Sequence, residues 1–129
     1  LNEKGDDQAR LVAFYDKLRK ITEIEGSLYD AFGKQVKRLR KSDIQDVSMV
    51  SNGQLFEDNR LKIAQFAYAQ YPYTVEFSYE TVVYNTMAYP VWDVQIDNEV
   101  SIEKATFTVN MPTGTELRYR EEHLPKGVV

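Results

Sequence analysis

The clearest pattern of hydrophobic and polar positions lies between Tyr73 and Thr81. The odd-numbered positions there are Tyr, Val, Phe, Tyr and Thr, and the even-numbered positions are Thr, Glu, Ser and Glu. Because side chains alternate across a strand, this pattern predicts a strand with one aromatic and one polar face. We expect the strand to run from Tyr73 to about Tyr84, with a second layer covering the aromatic face. The residues expected in the core are Tyr73, Val75, Phe77 and Tyr79.

The segment from Gln8 to Gly26 is compatible with two structures. Apolar side chains recur at helical spacing, at Leu11, Phe14, Tyr15, Leu18 and Ile21. Asp7 could cap the start of such a helix and Gly26 could close its end. The short apolar run before Asp16 and the β-branched residues between Ile21 and Glu25 favour strands instead. Periodicity alone favours the helix.

Turn residues divide the remainder of the chain into short segments. We read Asn2 to Asp7 as a turn with Gly5 at its tight position. Asp30 to Gly33 is predicted to join two antiparallel strands, Ile21 to Tyr29 and Lys34 to Arg40. Ser42 to Asp46 is read as the start of a loop.

Further strands are predicted at residues 60–63, 101–111 and 117–119. Leu61 and Ile63 share one face of the first, and Pro112 to Gly114 forms a turn between the other two. Short strands separated by turns are typical of an antiparallel β-sandwich, so the predicted fold class is all-β. We expect one sandwich domain over residues 1–120 and a C-terminal tail or linker over residues 121–129.

Composition narrows the class of protein. The chain has 129 residues, of which 43% are hydrophobic and 28% charged, which fits one folded domain. Its formal net charge of -4 argues against a nucleic-acid partner, because phosphates require a concentrated basic surface. No run of residues is apolar enough for a transmembrane segment.

Catalytic and metal-binding residues are not predicted in this chain. Cysteine is absent, which excludes thiol nucleophiles, and the single histidine, His123, lies among acidic residues in the expected tail, where we read it as solvated. The aspartates match no calcium-binding loop and are read as turn residues. Those weighed as calcium ligands are Asp43, Asp46, Asp58, Asp93 and Asp97. We therefore predict no catalytic residue, metal or cofactor, and no enzyme activity within the chain itself.

The aromatic residues offer the strongest candidate binding surface. The chain has 9 Tyr, 6 Phe and 1 Trp, and four of them lie near expected loop ends, where they could stack on sugar rings. These candidate recognition residues are Tyr68, Tyr71, Tyr89 and Trp92. Packing in the core and its rim is the alternative, since aromatics dominate burial in small β domains. A basic cluster is read as a solvated edge; it comprises Lys34, Lys37, Arg38, Arg40 and Lys41.

Several segments together resemble a known family. They include Ile24-Glu25-Gly26-Ser27-Leu28-Tyr29-Asp30-Ala31-Phe32-Gly33-Lys34, Lys41-Ser42-Asp43-Ile44-Gln45-Asp46, Leu55-Phe56-Glu57-Asp58-Asn59-Arg60, Gln70-Tyr71-Pro72-Tyr73-Thr74-Val75-Glu76-Phe77-Ser78-Tyr79-Glu80 and Val109-Asn110-Met111-Pro112. In this order they resemble the uncharacterised domain that precedes a transglutaminase-like domain in many bacterial proteins.

The resemblance implies an all-β sandwich on exported proteins, hence a periplasmic or extracellular location. It implies a partner, a downstream transglutaminase-like domain of the same polypeptide with a papain-like Cys-His-Asp site. It also implies strand, turn and strand between Gln8 and Gly26, which overrules the helical periodicity. No catalytic residue transfers to this chain. The expected function is a non-catalytic accessory domain that packs against or positions the catalytic domain or its substrate. A carbohydrate-binding module is the alternative.

The start of the chain departs from the family pattern. Leu1 is not an initiator methionine, and members usually begin with one or two strands before the segment that matches Leu1, so we expect a fragment that lacks its first strands. A missing strand leaves a sheet edge bare, and bare edges pair with other chains. The sequence therefore predicts either an edge-strand dimer or loose packing beside the strand at 73–84.

Overall fold

The computed structural model describes residues 1–49, 59–84, 91–94 and 100–120. The chain divides into two compact units, residues 1–88 and residues 89–129, which we call the N-terminal and the C-terminal unit. All strands of the described residues lie in the N-terminal unit. They are β1 (Arg10–Tyr15), β2 (Arg19–Tyr29), β3 (Gln35–Arg38), β4 (Ile44–Ser48), β5 (Arg60–Gln65) and β6 (Thr74–Val83). Two 3-10 helices, Glu3–Ala9 and Lys41–Asp43, precede β1 and β4.

Strands β1, β5 and β4 form the first sheet, in that order, and all neighbours are antiparallel. Ala64 of β5 lies opposite both Leu11 of β1 and Ile44 of β4. Residues opposite one another in an antiparallel pair share a face, so one face of this sheet carries these three side chains. Ala64 is fully buried, and the face that carries it is opposite to that of Leu61 and Ile63.

Strands β3, β2 and β6 form the second sheet, also antiparallel. The β2–β6 ladder runs from Arg19 opposite Val83 to Tyr29 opposite Thr74, with a bulge near Thr22. The turn between β2 and β3 follows from its sequence. Gly33 has a φ of +77°, which suits glycine, and the Asp30 carboxylate accepts hydrogen bonds from the Phe32 and Lys34 N–H groups, both at 2.9 Å.

The core lies where the two sheets converge. Its buried residues are Ala9, Leu28, Phe66 and Tyr73. Phe66, just after β5, stacks on Phe77 of β6 with ring centroids 5.3 Å apart. Gly26 of β2 makes room for this pair, because a Cβ atom there would lie only 2.9 Å from Phe77 and 3.2 Å from Phe66. The position needs glycine for the close approach of two rings, not for its backbone angles.

The strand predicted from 73 to 84 is confirmed as β6, and its alternation holds over the first half. Tyr73 is buried, and Val75 and Phe77 pack against the core. Tyr79 is 52% exposed, so its assignment to the core is wrong. It lies two positions beyond Phe77, which contacts the Phe66 ring, and alternation alone does not reveal where the covering layer ends.

Three predictions about the first half of the chain have different outcomes. The two strands and turn expected between Gln8 and Gly26 are confirmed as β1 and β2. The turn at Asn2 to Asp7 is a 3-10 helix, capped by the Asn2 side chain, which accepts from the Gly5 N–H at 3.1 Å. The prediction of a loop starting at Ser42 to Asp46 is wrong, because a short 3-10 helix leads directly into β4. The sequence of β4 is largely polar and therefore gives little indication of a strand.

The C-terminal unit contains no strand among its described residues, 91–94 and 100–120. The strands expected at 101–111 and 117–119 are therefore not formed there. The intervening turn is confirmed: the Thr115 N–H donates to the Pro112 carbonyl at 3.0 Å, and Gly114 has a φ of +87°. Alternating polarity supplies a face to bury, but a strand also requires a hydrogen-bonding neighbour.

Two antiparallel three-stranded sheets confirm the all-β, sandwich-like fold class. The division into a domain at 1–120 and a tail at 121–129 stays a prediction, as does the edge-strand dimer. Within the described residues, no helix has the length and apolar character that a membrane crossing requires.

Candidate functional site

Two of the tyrosines near the start of β6 converge on one carboxylate. Tyr71 and Tyr73 each donate a hydroxyl hydrogen bond of 2.7 Å to Asp6, one to each oxygen. The 3-10 helix Glu3–Ala9 presents Asp6 at this point, and Tyr71 precedes a cis peptide bond to Pro72. We call Asp6, Tyr71 and Tyr73 the tyrosine–carboxylate cluster.

The cluster shifts the proton affinity of all three groups. The hydrogen bonds from Tyr73 and Tyr71 lower the pKa of Asp6, because they stabilise its ionised form. Burial, followed by the bond to Asp6, raises the pKa of Tyr73 to about 12. The bond to Asp6 is the main reason that the pKa of Tyr71 is raised. All three groups therefore stay in their ordinary charge states at neutral pH.

Tyr68 joins the same cluster through its ring. It meets Tyr73 edge to face at a centroid distance of 5.8 Å, and its hydroxyl donates to Gln70 at 3.0 Å. Tyr71 lies against Tyr73 at 5.5 Å and keeps 41% of its surface exposed. The structure thus brings together two of the four candidate recognition residues, Tyr68 and Tyr71, as the rim of the core.

The other two candidates belong to the C-terminal unit. Trp92 stacks on Phe107 with centroids 5.3 Å apart, and the two side chains are 48% and 53% exposed. Tyr89 lies outside the described residues. One face of the Trp92 ring is therefore occupied by another ring, while much of the side chain remains accessible.

A second polar network lies on the first sheet. The Tyr15 hydroxyl donates to both oxygens of Asp46, at 2.8 and 2.7 Å. Arg60 donates through Nε to Asp46 and to the Tyr15 oxygen, both at 2.8 Å. The Tyr15 bond is the largest cause of a lowered pKa at Asp46, whereas burial is the largest cause of a raised pKa at Tyr15. The network holds its carboxylate ionised and fully bonded.

Two of the aspartates weighed as metal ligands, Asp46 and Asp43, have other roles in the structure. Asp46 belongs to the network with Arg60, and Asp43 accepts from the Arg40 N–H at 2.9 Å to cap the second 3-10 helix. No group of three or more His, Cys, Asp or Glu side chains in the described part of the chain is arranged to hold a metal ion. His123, Asp58 and Asp97 lie outside the described residues.

Sequence reasoning missed both polar groupings. Asp6 was assigned to a turn, although it meets tyrosines more than sixty positions away, at Tyr71 and Tyr73. Tyr15, Asp46 and Arg60 come from three different strands, and only the pairing of β1 and β4 with β5 brings them together. No local spacing signals such contacts.

Comparison with family models identifies the chain. Residues 1–128 match the model of a domain of unknown function with solved structures, DUF3857. The match covers nearly the whole sequence, so the chain belongs to this family. No curated protein and no solved structure matched the chain. The family carries no assigned catalytic activity.

Proposed function

We propose that this chain is a non-catalytic accessory domain that packs against a transglutaminase-like catalytic domain of the same polypeptide. The observation that supports it best is the apolar surface of the C-terminal unit. Val91, Phe107 and Tyr119 are 95%, 53% and 71% exposed. Large apolar side chains exposed in this way are available for contact with another protein surface. The resemblance of the sequence to domains that precede such enzymes supplies the identity of that partner.

Hydrogen exchange on the full parent polypeptide tests this role. Backbone amides at residues 91–94 and 100–120 should exchange more slowly in the parent than in the isolated chain, because the catalytic domain would cover them. The double substitution Phe107→Ser and Tyr119→Ser should abolish that difference. Phe32→Ser is the matched control, since Phe32 is 96% exposed on the β2–β3 turn of the other unit. Equal exchange in parent and isolated chain would contradict the proposal.

The same proposal includes an exported location, periplasmic or extracellular. Its support is the resemblance, because the related domains occur on exported proteins. Fractionation of cells that produce the parent protein provides the measurement. Recovery of the protein in the cytoplasmic fraction alone would refute the exported location without affecting the accessory role.

Carbohydrate binding is the second candidate function. Tyr71 and Trp92 support it, because each retains an accessible ring surface, 41% and 48% exposed, and accessible aromatic rings stack on sugars. Binding on a glycan array should then be lost with Trp92→Ala or Tyr71→Ala. Tyr84→Ala is the control, as Tyr84 is 61% exposed just after β6. A glycan signal that survives each substitution would exclude both residues as sugar-stacking positions; the two lie in different units and are tested separately.

A further inference from the structure

One stretch of β2 has a strand neighbour on only one side. β3 pairs with β2 only at Ser27, Leu28 and Tyr29, whereas β6 pairs along its whole length. Among the described residues, the side of β2 that faces away from β6 therefore has no strand partner from Lys20 to Glu25. The Gly26 carbonyl, which faces that side, accepts from the Leu39 N–H at 2.9 Å as the chain leaves β3. Backbone groups alternate in direction along a strand, so those of Ile24 face the same open side.

A cleft of about 770 Å³ follows this open edge, within the N-terminal unit. Five consecutive residues of β2, from Ile21 to Glu25, line it. A cleft over the face of a sheet meets alternate residues, whereas a cleft along an edge meets consecutive ones. The cleft therefore gives access to the backbone of β2. Leu39, Ile44 and Lys62 contribute to its other walls.

The charges in the cleft favour an anionic occupant. Glu25 is paired with Arg38 at 2.8 Å, and Asp46 is paired with Arg60 at 2.8 Å. Three basic side chains in the lining, Arg40, Lys41 and Lys62, form no direct ion pair among the described residues, and Glu23 is the one lining acid of which the same is true. Of the three, Lys62 lies over the Tyr15 ring at 5.7 Å and helps to lower the pKa of Asp46, so Arg40 and Lys41 are the more available charges. The cleft is thus locally basic in a chain whose net charge is -4.

We propose that this open edge of β2 binds an extended acidic segment of a partner protein as an added strand. The open backbone groups would supply main-chain hydrogen bonds, which is how sheet edges bind extended peptides. Apolar side chains of the segment would contact Ile24, Leu39 and Ile44, and its carboxylates would pair with the three basic residues. The proposal does not depend on the accessory role, because it concerns a different unit of the chain.

Peptide binding to the full chain provides the test. The probe is a short synthetic peptide that alternates Glu with Val and is blocked at both ends. Titration calorimetry measures its binding to the chain. A version with Lys in place of Glu should bind at least about tenfold more weakly, since the basic side chains of the cleft would repel it. A version N-methylated at alternate residues should lose binding, because it cannot donate to the edge. Equal affinity of the methylated peptide would overturn the added-strand mode.

Matched substitutions locate the charge effect. Replacing Arg40, Lys41 and Lys62 together with Gln should weaken binding about tenfold. The control replaces Lys4, Lys34 and Lys104 with Gln, which changes the net charge equally at exposed positions outside the cleft. If both triple variants lose the same affinity, attraction is non-specific and the proposal fails.

Amide exchange in the unsubstituted chain gives a readout that does not depend on how variants fold. The Ile24 amide should become protected when the Glu–Val peptide is added, whereas the Glu25 amide, which faces β6, should change little. Protection that appears instead along β6 or β4 would overturn the assignment to β2. In sedimentation experiments without peptide, we expect no self-association of the chain through this edge. If the chain does self-associate and the peptide prevents it, the edge binds a second copy of the chain, and the proposed partner segment is wrong.

Discussion

Two stacked ring pairs in this protein have almost the same geometry and very different surroundings. Phe66 and Phe77 are 5.3 Å apart with planes inclined by 24°, and Trp92 and Phe107 are 5.3 Å apart with planes inclined by 26°. Phe66 is 2% exposed, whereas Trp92 and Phe107 are 48% and 53% exposed. The two ring pairs thus have almost the same geometry, but only the pair in the N-terminal unit includes a buried ring. Burial of apolar surface is what makes such a contact stabilising.

The surrounding backbone explains the difference. Phe77 belongs to β6, which pairs with β2 over its full length, and Gly26 of β2 leaves space for the rings. Residues 101–111 show the same alternation of apolar and polar positions as β6, yet they have no strand partner among the described residues. A repeated pattern in one chain therefore gives two outcomes, according to whether a neighbouring strand is present.

The largest expected effect is at Phe66, the buried member of the first pair. Phe66→Ala should lower the free energy of unfolding by about 3–5 kcal/mol, because it removes a buried ring and leaves a cavity between the sheets. Urea unfolding monitored by circular dichroism provides the measurement. The matched control is Phe107→Ala, which should cost less than about 1 kcal/mol at its exposed site. Equal losses would show that the exposed pair is buried in solution, and the contrast between the units would fail.

A smaller loss is expected from adding one methyl group next to the Phe66–Phe77 pair. Gly26→Ala should destabilise the protein by about 1–3 kcal/mol, since the new Cβ would press against Phe77 and Phe66. Combining it with Phe77→Leu should restore part of the loss, because the smaller side chain leaves room. A double variant whose loss equals the sum of both single losses would contradict steric conflict as the cause.

Tyrosine titration tests the cluster at the rim of the core. Tyr73 has its pKa raised to about 12 from 10.0, so its contribution to stability is complete below pH 10.0 and is lost as the pH rises through 12. Asp6→Asn should lower the pKa of Tyr73 partway, because burial remains. Ultraviolet absorbance of tyrosinate follows the change. The control is Asp16→Asn, which lies at the other end of the β2–β6 ladder from Tyr73 and accepts from the Leu18 N–H at 2.7 Å; a shift of equal size there would contradict the assignment to Asp6.

The smallest effect is expected at the outer half of β6. Tyr79→Thr should change the free energy of unfolding by less than about 1 kcal/mol, because Tyr79 is 52% exposed although it lies in a strand. Thr is chosen since it keeps a good strand former at the position. Thermal unfolding of the variant beside the unsubstituted protein gives the measurement. A loss comparable with that of Phe66→Ala would place Tyr79 in the core after all.

These contrasts also show which parts of the molecule the sequence could predict. Alternation located β6, and the family resemblance correctly set aside the helical periodicity around Leu11 and Leu18. Turn chemistry located Gly33 and Gly114. The strand β4 was missed because Gln45 and Asp46 are polar, and polar residues on a strand read locally as a loop. Strand pairing, a long-range property, supplies what local patterns lack.

The candidate sites follow the same division. Tyr68 and Tyr71 could be selected from the sequence as aromatic residues near a strand start. Their common neighbour Asp6 could not be selected from the sequence, because its contact with Tyr71 depends on where the first 3-10 helix packs. The open edge of β2 is also invisible in the sequence, since it results from β3 ending at Arg38 while β2 continues.

The order of strands in the second sheet has a consequence for how the protein folds. β2 finds its first neighbour, β3, across a short turn, but its main partner β6 follows only after β3, β4 and β5. Contacts between residues far apart in sequence slow folding, because the entropy of closing a long loop is lost before the stabilising strand contacts form. During synthesis, the β2–β6 ladder, the longest among the described residues, cannot form until Thr74–Val83 has left the ribosome. Until then β2 keeps most of both edges open, and a nascent chain that stops before β6 exposes a strand to aggregation.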